Sequence, residues 1–120
     1  MNETEFINEL KNIDIILTQN QINKFKIYYE YLIEYNKHTN LTSITTKEDV
    51  YLKHFYDSCL LTKTIDFNNI DTMLDIGCGA GFPGIVIKIL FPNIKLTLLD
   101  SNNKKTKFCE SLSKLLELDN

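Results

Sequence analysis

Asp75, Gly77, Gly79, Gly81 and Gly84 crowd into one stretch, Leu74-Asp75-Ile76-Gly77-Cys78-Gly79-Ala80-Gly81-Phe82-Pro83-Gly84, which holds all four glycines of the chain and one of its two prolines. Thr72-Met73-Leu74 leads with Ile76 into an apolar run of strand length. Beyond the turn, Ile85, Ile87, Ile89, Leu90 and Phe91 continue as an apolar segment that stops at Pro92. The spacing predicts strand, tight turn, helix. Glycine at 77, 79 and 81 lets the backbone take positive φ and removes every Cβ from the side where a ligand would lie, and Pro83 suits the first turn of the next helix. Two ligand classes use such a turn. Gly79, Gly81 and Gly84 match the dinucleotide fingerprint G-x-G-x-x-G, a pattern that fixes only three positions. There the turn faces a pyrophosphate at a helix N-terminus, where another carboxylate would be repelled. Asp75, two residues ahead of Gly77, sets an anion toward the same turn. S-adenosylmethionine has no phosphate and carries an ammonium and a sulfonium, which a carboxylate attracts directly or through water. The D-x-G-x-G-x-G spacing therefore favours the methyl donor.

A second acid follows. Lys95-Leu96-Thr97-Leu98-Leu99-Asp100 reads as a second strand ending in a carboxylate, placed to accept both ribose hydroxyls of an adenosine. Hydrogen bonds to a charged acceptor contribute roughly 1.5–3 kcal/mol each, so Asp100 could supply much of the selectivity for a ribose. The plainer reading is a strand-terminal Asp that caps the following helix.

At these residues the chain resembles a known family. Leu74-Asp75-Ile76-Gly77 with Gly79, Gly81, Phe82, Pro83, Gly84 and Ile85, then Leu98-Leu99-Asp100-Ser101 with Lys104, Lys105 and Phe108, is similar to bacterial ribosomal small-subunit methyltransferase G, also called glucose-inhibited division protein B. Two upstream stretches agree, Tyr35-Asn36-Lys37-His38-Thr39-Asn40-Leu41-Thr42 and Lys53-His54-Phe55-Tyr56-Asp57-Ser58. The resemblance runs from about Gln19 to the last residue. It implies an α/β fold, the N-terminal part of a class I (Rossmann-like) S-adenosylmethionine-dependent methyltransferase with an N-terminal helical extension. Residues 1–70 would form the helical region and 71–120 the first two βα units. It also implies methylation of a guanine N7 in 16S ribosomal RNA, as free RNA or in the small ribosomal subunit. S-adenosylmethionine would be held by Asp75, Gly77, Gly79, Gly81, Phe82, Asp100 and Ser101, with Asn40 and His54 on the substrate side. Methyl transfer to an aromatic nitrogen needs no enzyme nucleophile, so no catalytic residue is expected.

The elements that must position this turn are mostly helices. Phe6, Ile7 and Leu10 predict a short amphipathic helix from about Thr4 to Ile13. Thr18 and Gln21 form a capping-box pair ahead of Ile22, Phe25, Tyr29, Leu32 and Ile33 on one face. Tyr28, Tyr29, Tyr31 and Tyr35 offer base-stacking rings, though packing on neighbouring elements explains them as well. Asn36, His38, Thr39 and Asn40 make a polar break, where Asn40 either borders the site or caps a turn. Thr46 with Asp49 starts a helix carrying Val50, His54, Ser58 and Leu61 in one line, and His54 stands at i,i+3 from Asp57, close enough to pair. A linker from Thr64 to Asp71 follows, and a last helix from about Asn102 carries Phe108, Leu112, Leu115 and Leu116.

Composition bounds the rest. A chain of 120 residues, 43% hydrophobic and 24% charged, fits one globular domain. The acidic N-terminus carries no signal-peptide pattern and no apolar run reaches membrane-spanning length, so a cytoplasmic, membrane-free protein is expected. Cys59, Cys78 and Cys109 include no CxxC pair, which argues against a disulfide framework and against a metal site. The net charge of -3 sits awkwardly with RNA, since phosphate neutralisation wants a basic surface; Lys104-Lys105-Thr106-Lys107 and Lys53-His54 are small clusters that a solvated helix face explains equally. Nothing sets an oligomeric state. Two rival readings stand beside the methyltransferase: a non-catalytic truncated chain or RNA- or partner-binding module, and an NAD-dependent oxidoreductase using Gly79, Gly81 and Gly84.

Overall fold

The computed structural model describes residues 1–118. Helices make up most of it, with a small parallel sheet. The order is α1 (Glu3–Lys11), α2 (Gln19–Asn36), α3 (Lys47–Asp49), a π-helical turn (Val50–Tyr56), α4 (Asp57–Cys59), 3-10 turns at Leu60–Lys63 and Phe67–Asn69, β1 (Thr72–Ile76), α5 (Gly84–Leu90), β2 (Lys95–Leu99) and α6 (Asn103–Leu115). β1 and β2 pair in parallel from Thr72 opposite Lys95 to Ile76 opposite Leu99. That register brings the end of β1, where the glycine turn begins, level with the end of β2, where Asp100 follows.

Helix starts follow local chemistry. Asn2 caps α1 and exchanges hydrogen bonds with Glu5, so the helix begins before the expected Thr4 and stops at Lys11, short of Ile13. Thr18 and Gln21 form the anticipated reciprocal box at α2. Gln21 also donates to the Ile89 carbonyl, tying the start of α2 to the end of α5. Asn102, not Asp100, caps α6 by accepting from the Lys104 and Lys105 amides.

Three expectations about buried faces change. On α2 the buried positions are Phe25, Tyr28 and Leu32, so Tyr28 and not Tyr29 faces the core. Between 47 and 63 one continuous helical run replaces the regular helix expected after Thr46. Its π turn widens the spacing and buries Val50, Tyr51 and Phe55, then Ser58 and Cys59, leaving His54 at the edge of that stripe. Leu115, expected on the packed face of α6, is half exposed, while Phe108, Leu112 and Leu116 are buried. The linker also contributes to packing through the buried Phe67.

Phe55 is the hub of an aromatic cluster. Its ring lies 5.1 Å from Phe25, 5.0 Å from Tyr28, 5.0 Å from Tyr51 and 5.9 Å from Phe82, while Phe6 packs edge-on against Phe25 and Tyr51. One continuous core thus joins α1, α2 and the run 47–63 to Cys78, Ile85, Val86, Phe108 and Leu112 around the turn and sheet. Lys88 is buried on α5 and donates to the Pro92 and Ile94 carbonyls, closing the connection to β2. The sheet carries its helices on one face; on the other, Leu74, Ile76 and Leu99 are 53%, 75% and 49% exposed.

Truncating the hub should cost far more than removing a cap. Phe55→Ala is expected to lower unfolding free energy by about 3–5 kcal/mol. Thr18→Ala is expected to lower it by about 1 kcal/mol. Urea titration followed by circular dichroism checks both, and equal effects would contradict the placement of Phe55 at the centre of the core.

Candidate functional site

The turn after β1 spends its backbone donors on the protein itself. The Gly77 and Cys78 amides continue the sheet by donating to the Leu99 carbonyl, and the Gly81 and Phe82 amides donate to the Cys78 carbonyl. The Gly79 amide donates to Asp100 Oδ2 at 3.0 Å, and the Gly84 amide, at the start of α5, donates to Asp75 Oδ2 at 3.0 Å. The two candidate acids therefore grip the turn from opposite ends.

The four glycines divide by what a side chain would meet. Gly77 and Gly79 hold φ of 75° and 52°, and a Cβ on either would find no atom within 4 Å. This is the open side, a shallow groove of about 320 Å³ lined by Ile76, Gly77, Leu99, Asp100 and Ser101. A Cβ on Gly81 would come within 2.6 Å of the Tyr28 hydroxyl and 2.7 Å of Ile85 Cδ1. One on Gly84 would come within 2.8 Å of Asp75 Oδ2 and 2.9 Å of Leu98 Cδ2. Gly81 and Gly84 therefore allow close packing, and only the first pair bares backbone to a ligand.

The acids differ in environment. Asp75 is buried beneath α5, and burial raises its pKa while the Gly84 amide opposes the rise. Asp100 sits at the groove; hydrogen bonds from the Asn102 and Gly79 amides, with the Lys105 charge nearby, hold its pKa below the ordinary carboxylate value. Its Oδ1 makes the Asn102 bond and its Oδ2 the Gly79 bond, so each oxygen keeps further accepting capacity toward solvent. Ser101 beside it is exposed.

Phe82 links this turn to the helical run. Its ring lies parallel to His54, 4.2 Å between centroids, and parallel to Tyr28 at 5.3 Å. His54 Nε2 is 3.0 Å from the Thr42 hydroxyl, which itself accepts from the Ile44 amide. Its hydrogen-bond partner is thus Thr42, and Asp57, expected as a partner, acts through its charge, opposing the lowering of the His54 pKa that burial causes. Lys53, His54, Asp57, Ser58, Leu61, Phe82 and Pro83 line a second groove of about 290 Å³. Asn40 is exposed. The residue that shapes its loop is Asn36, whose Oδ1 accepts from the Leu41 and Thr42 amides and whose Nδ2 donates to the Thr42 carbonyl.

Sequence reasoning missed Tyr28 and Asn36. Tyr28 is fully buried and its hydroxyl donates to the Ala80 carbonyl at 2.6 Å, a contact across 52 positions that no local spacing announces. Asn36 carried a signal, an Asn at a helix end followed by a polar break, which favours side-chain bonds to loop amides. The sulfurs of Cys78 and Cys109 lie 3.8 Å apart, and Cys109 Sγ donates to the Gly79 carbonyl; burial raises both thiol pKa values, so these are packed thiols and not nucleophiles. Among the described residues no group of three His, Cys, Asp or Glu is placed to hold a metal ion, and no helix is long and apolar enough to cross a membrane. A groove of about 650 Å³ between Ile13–Ile16, Thr62–Asn68 and Phe91 has none of these candidate residues in its lining.

Comparison with known proteins places the chain in a family. The family model for rRNA small subunit methyltransferase G matches residues 21–120. The chain is 48% identical over 120 residues to ribosomal RNA small subunit methyltransferase G of Bacillus subtilis, all of this chain and 50% of that protein. It is 50% identical over 119 residues to the Bacillus velezensis protein of that name and 48% identical over 120 residues to that of Macrococcus caseolyticus, again covering 50% of each. The chain spans about half the length of the curated relatives it matches. By sequence, over residues 21–120, the chain belongs to the rRNA small subunit methyltransferase G family.

Proposed function

We propose that this chain forms the front of an S-adenosylmethionine site in a methyltransferase that modifies guanine N7 of 16S ribosomal RNA. On this reading residues 71–120 are the first two βα units of a class I, Rossmann-like domain, of which 119 and 120 lie outside the described residues, and residues 1–70 are a helical extension packed on it. The observation that carries the choice of cofactor is the occupancy of the turn's own donors. A pyrophosphate needs free amides at the turn and the helix start. Here the Gly79 amide is taken by Asp100 and the Gly84 amide by Asp75. A second anion would displace these bonds and meet the Asp100 charge, whereas a cationic, phosphate-free ligand meets attraction. This disfavours the dinucleotide reading, which shares the same three glycines.

The residues present fit the methyl donor, because Gly77 offers bare backbone to the groove between the exposed Ile76 and Leu99, and Asp100 lines it with accepting capacity to spare. When bound, S-adenosylmethionine would supply a methyl group on a sulfonium for guanine N7, the electron pair of the broken carbon–sulfur bond remaining on sulfur. Guanine N7 already presents a lone pair, so the chain needs no general base and contributes alignment and electrostatics. Asp100 accepts from the ribose hydroxyls, with Ser101 beside it. Gly77, Gly79, Gly81 and Phe82 shape the methionine side, and Asp75 fixes the turn through Gly84. His54, uncharged at neutral pH and lying parallel to Phe82, borders the second groove and faces the RNA there, and the exposed Asn40 would be a separate contact.

Two measurements test this reading. In the natural protein carrying this chain, Asp100→Ala should weaken S-adenosylhomocysteine binding roughly tenfold or more, the loss of at least one charge-assisted hydrogen bond. Wild type should also prefer S-adenosylhomocysteine to its 2′,3′-dideoxy analogue, and the variant should lose that preference; a preference that survives assigns the ribose elsewhere, and saturable NAD binding by wild type would overturn the cofactor. The second concerns pH. Because the folded state lowers the His54 pKa, the unfolded chain binds the proton more readily below about pH 6.5, and stability from this group is lost as pH falls through that value. His54→Phe, which keeps a ring against Phe82, should gain urea midpoint relative to wild type between pH 7.5 and 5, and a constant difference would show that His54 is not held neutral.

A further inference from the structure

The hydroxyl of Tyr28 reaches from α2 into the glycine turn, and we propose that Tyr28 is a positioning residue for the cofactor, fixing the Ala80 carbonyl so that the turn keeps the shape the ligand meets. This role rests on the cofactor reading above. The geometry is specific. Tyr28 is 0% exposed, its hydroxyl donates to the Ala80 carbonyl at 2.6 Å, and its ring lies parallel to Phe82 within 2°. The space it occupies exists only because residue 81 has no side chain, since a Cβ there would sit 2.6 Å from the phenol oxygen.

The contact matters because of its neighbours in the turn. The Ala80 carbonyl shares a peptide plane with the Gly81 amide, which donates to Cys78, and one residue back the Gly79 amide holds Asp100. Without the phenol, that buried carbonyl loses its partner, and a buried acceptor without one drives local rearrangement. The available motion is rotation of the 80–81 peptide, which pulls the Gly81 amide off Cys78 and disturbs Gly79 and Asp100 with it. Burial, with Cys109, Asp75 and Cys78 close by, raises the phenol pKa well above its ordinary value, so the group stays a donor across the working pH range.

Through Phe82 the same ring also meets His54, which lies parallel to Phe82 and bonds to Thr42. Tyr28 therefore joins the helical region to the turn at two points, a carbonyl and a ring.

The test compares Tyr28→Phe with Tyr31→Phe in the natural protein carrying this chain, titrated with S-adenosylhomocysteine. Tyr31 is on the same helix, stacks on Phe108 and lies outside the turn. Tyr28→Phe should bind about three- to tenfold more weakly, the fold-change of one lost neutral hydrogen bond, and should raise the KM for S-adenosylmethionine with kcat preserved. Tyr31→Phe should match wild type. Equal affinity in Tyr28→Phe, or an equal loss in Tyr31→Phe, overturns the proposal. A wild-type protein that binds no S-adenosylhomocysteine overturns the cofactor reading itself and this role with it. Should Tyr28→Phe fail to fold, nuclear magnetic resonance on wild type decides. The Tyr28 hydroxyl proton should exchange slowly and shift, together with the Gly81 amide, when S-adenosylhomocysteine saturates the protein, and signals that stay fixed at saturation overturn the role.

Discussion

A carboxylate at the end of one strand holds the turn at the end of its neighbour, and the rest of the site depends on that bond. Asp100 can reach the Gly79 amide only because β1 and β2 run parallel and in register to their last residues. The register in turn depends on α5 packing closely on the strands, which needs a bare Cα at Gly84 against Asp75 and Leu98. Sheet register, helix approach and turn shape are one constraint seen at three positions. Satisfying it occupies the Gly79 and Gly84 amides within the protein, which leaves charge and shape as the features the groove presents.

The site is also wider than the turn. Phe82 carries the contact outward, to Tyr28 on α2 and to His54 on the run 47–63, and His54 reaches the loop that Asn36 organises. The helical region and the βα units share one core, centred on Phe55, so the groove beside His54 and the groove beside Gly77 and Asp100 are built on the same packed interior. Any coupling between the two grooves passes through packed rings, which transmit displacement because the interior has little free volume.

Much of this was legible in the sequence where the determinants are local. The capping box at Thr18, the two strands, the turn with its positive-φ glycines and the start of α6 near Asn102 each follow from residues within a few positions of one another. What escaped is tertiary. Helical periodicity allowed Tyr28 or Tyr29 to face inward, and the choice was made by the Ala80 carbonyl 52 positions away. The π turn at Val50–Tyr56 breaks the regular spacing that any periodic reading assumes, so Phe55 replaced His54 in the buried stripe. Asp75, expected to turn its charge toward the ligand, is instead buried against the Gly84 amide, an outcome that only the approach of α5 decides. Likewise Asp100, weighed between a ribose and a helix cap, leaves the cap to Asn102 and accepts from the Gly79 amide.

The bare face of the sheet has a consequence for handling. Leu74, Ile76 and Leu99 lie exposed side by side, and among the described residues each of the two strands has a single partner, which leaves one edge of each with unpaired amides and carbonyls. An apolar face bordered by open edges is a template onto which another extended chain can hydrogen-bond. Expressed by itself, this stretch of polypeptide should therefore be concentration-sensitive: soluble when dilute, and prone to strand-to-strand association as it is concentrated, through the side of the molecule that lies away from the helices.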